Sequence, residues 1–95
     1  MRLAGRAEEV SCPHSMQYAV AANDLTDAEA ESVAQAVDIY RATPTSPWYF
    51  HSVPMRDENG RLCEVRFFAD SEMQQPLAVI RIADNGALAP IADLR

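Results

Sequence analysis

Apolar positions along this chain change their period near residue 44. Before it, Ala30, Val33, Ala34, Val37 and Tyr40 recur at the i, i+3, i+4 spacing of one buried helical stripe, with Ala36 flanking it. Thr26 and Glu29, three positions apart, make a reciprocal capping box, and Leu25 and Ala30 are spaced for the hydrophobic staple that sets how a chain enters a helix. Asp27, Glu29 and Glu31 favour the positive end of the helix dipole and Arg41 the negative end. Thr43-Pro44 stops the helix, because a residue before proline resists the helical region. Upstream, residues 16–22 alternate weakly between apolar and polar and predict a short strand.

Beyond Pro47 the period becomes that of strands. Residues 48–55 are aromatic and β-branched, and Pro54 places that strand at an edge or beside a bulge. Asp57-Glu58-Asn59-Gly60 predicts a three-residue hairpin loop closed by a left-handed glycine, with Asp57 facing Arg61. Carried into the strands, this register pairs Met55 with Cys63, Val53 with Val65, His51 with Phe67, Ser52 with Arg66 and Phe50 with Phe68. Residues 61–69 form the next strand and residues 77–83 the one after. Matching their apolar faces sets Val65 against Ile80 and Cys63 against Ile82, and also brings Glu64 opposite Arg81, an attractive cross-strand pair. Asp84-Asn85-Gly86 turns the chain again, and residues 87–91 are expected to add an edge strand blunted by Pro90.

The predicted class is therefore α+β: one main helix packed on an antiparallel sheet of four to five strands, in the order β-α-β-β-β(-β). Residues 1–13 are read as an N-terminal arm and 14–95 as a single domain. The order is similar to cystatin-like helix-on-sheet folds as an architecture. The Gln-x-Val-x-Gly loop of cystatin inhibitors is absent, and Pro47-Trp48 follows the helix instead of lying in a late hairpin, so no residue role is carried over.

One helix covers one side of a sheet. The expected core face collects Val53, Met55, Cys63, Val65, Phe67, Ala78, Ile80 and Ile82, which leaves Trp48, Phe50, Phe68, Leu77 and Val79 around Glu64, Arg66 and Arg81 on the other face. A patch of aromatic groups and arginine has the composition of an interface centre.

Composition narrows the function classes. The net charge is -6, and all eight basic residues are arginine. Such an acidic chain lacks the basic field that nucleic acids and anionic membranes require, and no apolar run is long enough to span a bilayer. Asp24, Asp27, Glu29, Glu31 and Asp38 form an acidic run that would also suit mimicry of nucleic-acid charge, although helix-dipole chemistry and solubility account for it. Two cysteines are too few for a disulfide scaffold. Residues 1–13 contain Glu8 and Glu9 and no apolar run of signal-peptide length, so the expectation is a cytoplasmic chain with reduced thiols.

Catalytic chemistry finds little footing. Cys12, His14, His51 and Cys63 hold metal-ligating atoms without the paired spacing that prepares a zinc site, so neither metal nor cofactor is expected. A Cys63-His51 nucleophile would lie under the helix, with no acid to orient the histidine and no glycine-rich loop to stabilise an oxyanion. The leading expectation is a small non-catalytic interaction, regulatory or inhibitor module of bacterial or phage type. It would dimerise or dock a protein partner through Trp48, Phe50, Arg66, Phe68, Leu77, Val79 and Arg81. The alternative is a small-ligand domain whose pocket between helix and sheet takes its polar tips from Tyr18, Tyr40, Trp48 and His51.

Overall fold

A computed structural model of the 95-residue chain describes residues 17–69 and 75–94. The N-terminal arm expected over residues 1–13 lies outside the described residues, as does most of the connection between the second and third strands of the meander. Strand β1 (Tyr18–Ala19) leads through a 3-10 turn at Ala22–Asp24 into helix α1 (Asp27–Arg41). Strands β2 (His51–Arg56), β3 (Leu62–Phe68), β4 (Ala78–Arg81) and β5 (Ala92–Asp93) follow. All five form one antiparallel sheet in the spatial order β1-β2-β3-β4-β5, with α1 against one face, which is the α+β arrangement that the periodicities predict.

The helix starts where its cap dictates. Thr26 Oγ1 accepts from the Glu29 amide at 3.1 Å, and Glu29 Oε1 accepts from the Thr26 amide at 2.9 Å, so both halves of the capping box are made. Its buried stripe is rotated from the expected one. Ala36 and Tyr40 are fully buried and Val33 and Val37 partly so, whereas Ala30 and Ala34 face outward. The reason is Glu29, which turns inward to meet Arg56 and so brings positions 29, 33, 36 and 40 onto the sheet side.

Both hairpins close as three-residue loops. The Asp57 amide bonds to the Arg61 carbonyl at 2.9 Å and the Ala83 amide to the Ala87 carbonyl at 2.9 Å, and Gly60 and Gly86 take φ of 81° and 87°. Asp57 is buried and uses Oδ1 to accept from the amides of Asn59 and Arg61, which fixes the first turn from inside.

The register between β3 and β4 is as expected: Glu64 opposes Arg81 and Val65 opposes Ile80. Between β2 and β3 it is not. Arg56 opposes Leu62, but Met55 opposes Glu64, so Cys63 is the extra residue of a β-bulge. Beyond it every pair is shifted by one: Pro54 with Val65, Val53 with Arg66, Ser52 with Phe67 and His51 with Phe68. A one-residue slip moves each side chain to the other face, so Val53, Met55 and His51 leave the predicted core face. Pro54, with no N–H to give, lies beside the end of β1; its carbonyl still accepts from the Val20 amide at 3.0 Å.

The last edge also differs. Residues 87–91 make only a single bridge, Leu88 with Ile82, and the edge strand forms past Pro90 at Ala92–Asp93. On the helix side the core centres on three rings. Tyr40 stacks on Phe67 with centroids 4.3 Å apart, Phe50 meets Tyr40 edge-on at 4.8 Å, and the Arg41 guanidinium lies over Phe50. Leu62, Val65, Ala78, Ile80 and Ile82 complete it.

Candidate functional site

Bulge and pleat together place Met55, Glu64, Arg66, Phe68, Val79 and Arg81 on the sheet face turned away from α1. Its apolar members are covered: Phe68 is 6% and Val79 3% exposed. Its charged members form a compact group. Glu64 is buried between two arginines, 2.5 Å from Arg66 Nε and 3.9 Å from Arg81 Nε, and Arg66 also donates to the Gln17 carboxamide oxygen. A buried carboxylate is tolerated only with such partners, because removal from water would otherwise cost several kcal/mol, on the order expected for any buried ion. Gln17, Val79 and Leu94 join the three charged groups in lining a concavity of about 180 Å³.

A different arrangement occupies the end of the molecule where α1 passes into β2. The helix closes with Thr43 Oγ1 donating to the Ile39 carbonyl, and Ser46 Oγ donates to the Thr43 carbonyl at 2.9 Å. Pro44 and Pro47 stiffen the connection to β2. At the end of this braced loop Trp48 is 99% exposed and Tyr49 62% exposed, with the Tyr49 ring edge-on to His51 at 5.0 Å. Trp48 and Tyr49 therefore stand outside the strand that the sequence pattern assigned to them.

The seven residues expected to share one contact surface fall into three places. Phe50 is on the helix side, inside the aromatic core. Arg66, Phe68, Val79 and Arg81 share the second sheet face, with Leu77 half-buried at its border and its amide bonded to the Phe67 carbonyl. Trp48 is on the exposed loop. The expected pairing of Phe50 with Phe68 is overturned by the bulge at Cys63.

The alternative ligand set does not converge. Tyr40 is 1% exposed within the core, Tyr18 pairs with Arg56 at the far end of β2 from His51, and Trp48 points into solvent. Of the four side chains with metal-ligating atoms, Cys12 and His14 lie outside the described residues, while His51 and Cys63 sit toward opposite ends of the β2-β3 pair. Cys63 is not a free thiol but disulfide-bonded, which corrects the reduced-cysteine expectation and removes it as a nucleophile. Its sulfur lies 3.5 Å from the Met55 carbonyl oxygen, at the bulge.

Sequence reasoning missed a two-pronged ion pair between helix and hairpin. Arg56 forks onto Glu29, Nη1 to Oε2 at 2.6 Å and Nη2 to Oε1 at 2.9 Å, and also donates to the carbonyls of Gly60 and Asp24. The Arg56 hydrogen bonds are the largest cause of the low Glu29 pKa, about 2, with the Thr26 amide adding to them; the same pair raises the pKa of Arg56. Glu29 thus caps the helix and fastens it to the first hairpin. Arg61 plays a related part between the two turns, its Nε 3.1 Å from Asp84 and 3.6 Å from Asp57, and its Nη1 donating to the Ile82 carbonyl. Glu29 was readable as a cap, but its second partner is 27 positions away and leaves no local signal.

No family model, curated protein or solved structure matches this chain. Among the described residues no helix is long and apolar enough to cross a membrane.

Proposed function

We propose that this protein is a small non-catalytic interaction module that self-associates through the loop carrying Trp48 and Tyr49. The observation that carries the reading is the near-complete exposure of Trp48 on a loop braced by prolines and helix-cap hydrogen bonds. Holding a bare indole in water forgoes roughly 1.5–3 kcal/mol that burial of a large apolar side chain would return. A stiff loop holds it out at little further entropic cost on binding. Tryptophan, tyrosine and arginine are also the residues that dominate measured interface energies. The contact centre thus shifts from Phe68 and Val79, which are already covered, to the tip, with exposed Arg81 and part-exposed Arg66 left as polar surroundings on the second face.

A non-catalytic role is supported by the disulfide at Cys63 and by the separation of His51 from it. The acidic charge disfavours nucleic acid as the partner. Of the acidic run, Glu29 is engaged by Arg56, which weakens it as a mimic of nucleic-acid charge. Cytoplasmic residence fits the composition but not the disulfide, because cytosolic thiols are kept reduced; an oxidising compartment suits that bond better.

Trp48 is the chain's only tryptophan, so its fluorescence reports the contact directly. Emission is expected to shift to the blue as protein concentration rises, in step with a doubling of mass by light scattering. A monomer at millimolar concentration with emission unchanged would overturn self-association.

A further inference from the structure

The concavity on the second sheet face holds two polar groups that do not satisfy each other. Glu64 on β3 and Arg81 on β4 are cross-strand partners, yet Arg81 Nε stays 3.9 Å from Glu64 Oε1, beyond hydrogen-bond reach. The other carboxylate oxygen is taken: Oε2 accepts from Arg66 Nε at 2.5 Å, and Arg66 Nη2 donates to the Gln17 carboxamide oxygen. Among the described residues, the long approach to Glu64 is the one partner of the Arg81 guanidinium. The Glu64 side chain is only 6% exposed, and a carboxylate so withdrawn from water needs donors at both oxygens. Arg81, at 49% exposed, stays open to a partner from outside.

Beside these groups the wall changes character. Pro76, Val79 and Leu94 line the rest of the concavity, whose volume of about 180 Å³ lies below the roughly 300–1,000 Å³ of sites for drug-sized ligands. The occupant is therefore small and has an apolar part. Its polar part follows from charge. A carboxylate alone on Arg81 would bring like charge against Glu64 Oε1, and an ammonium alone on Glu64 would sit beside Arg81. One molecule that carries both groups on a single carbon meets donor and acceptor together.

We propose that this concavity binds a free α-amino acid with a small branched apolar side chain. Its carboxylate accepts from the Arg81 guanidinium, its ammonium donates to Glu64 Oε1, and its side chain rests on Pro76, Val79 and Leu94. Arg66 acts through Glu64, which it holds in place. The site goes beyond the self-association reading, since it lies on the sheet face and not on the Trp48 loop. Self-association is read by Trp48 emission and mass, and this site by the signals of Glu64 and Arg81, so either can fail alone.

The test is an NMR titration of the full chain with L-valine, and separately with isovalerate and isobutylamine, which are valine without its ammonium and without its carboxylate. L-Valine is expected to move the amide signals of Glu64, Val79 and Arg81 along a saturable curve. Each analogue should bind at least about tenfold more weakly, the loss expected when a hydrogen bond to a charged group is removed. Arg81→Gln should weaken L-valine by a similar factor, and Glu64→Gln should erase the preference for L-valine over isovalerate. No saturable shift with L-valine at millimolar concentration, or shifts that leave these three residues unmoved, would overturn the site. So would equal binding of either analogue, or undiminished binding by a folded Arg81→Gln protein. Should a variant lose its fold, the preference among the three ligands on the unmodified chain decides.

Discussion

On the helix side of the sheet, the groups that exclude water are consecutive in their logic. The α1 stripe of Val33, Ala36, Val37 and Tyr40 lies on Val65, Phe67 and Ile80, and ring geometry locks Tyr40 between Phe50 and Phe67. On the other side, Phe68 and Val79 are buried nearly as well but surround a buried glutamate held by two arginines. The first face is a core that apolar area alone can stabilise. The second combines apolar area with ion pairing, so its burial depends on partners, and those can be removed one at a time. The comparison teaches that equal exposure does not mean equal cause.

The largest effect should come from the helix face. Phe67→Ala is expected to cost about 3–5 kcal/mol in urea unfolding, the usual range for a fully buried phenylalanine. Phe68→Ala, on the mixed face, should cost about 3 kcal/mol, the low end of that range, because its ring is slightly less buried than Phe67. Equal costs for the two substitutions would mean that the two faces are closed in the same way.

Next in size is the Arg56-Glu29 fork, which ties the helix start to the first hairpin. Glu29→Gln keeps the capping hydrogen bond and loses the charge. It should cost about 1–2 kcal/mol at pH 7, less than the full pKa shift implies, because part of the pair remains in reach of water and salt. The Glu29 pKa is depressed from 4.5 to about 2, so the stabilisation is present above pH 4.5 and is lost as pH falls toward 2. Urea midpoints of the parent and Glu29→Gln should therefore converge across that window; parallel curves would remove the ionic explanation. Glu64→Gln should cost about 1 kcal/mol, limited by the partial exposure of both arginines, and should leave the helix-face rings unchanged by aromatic NMR shifts. The smallest effect on stability belongs to Trp48→Ala, within about 0.5 kcal/mol, because a side chain so exposed touches little. The same variant should abolish the concentration-dependent mass change.

The second β-hairpin shows how far local pattern carries. Asn85-Gly86 specified its loop, and Glu64 opposite Arg81 specified the register of β3 with β4, because cross-strand charge and alternation agreed there. The first hairpin obeyed its turn chemistry equally well at Asp57 and Arg61, then departed from it within three residues. A bulge is one extra residue with no compositional mark, and Cys63 reads in the sequence as an ordinary strand position. That single insertion separated Phe50 from Phe68 and dissolved the contact surface expected from alternation. The chemistry of Trp48 made it a candidate contact residue, but no local signal marked its exposure, which follows from the loop that ends before β2. The Arg56-Glu29 fork was illegible for a different reason: it joins elements far apart in sequence.

By itself the sequence determined the element order, the capped start of the helix and both hairpin loops, along with the register of β3 against β4. Each of these rests on residues within a few positions of one another or on a two-residue alternation. Tertiary structure alone decided which face each β2 residue occupies, which helix positions turn inward, and that Phe50 belongs to the core while Trp48 stands free. Those outcomes depend on where a bulge falls and on which distant charges meet, and both are settled only when helix and sheet compete for the same space.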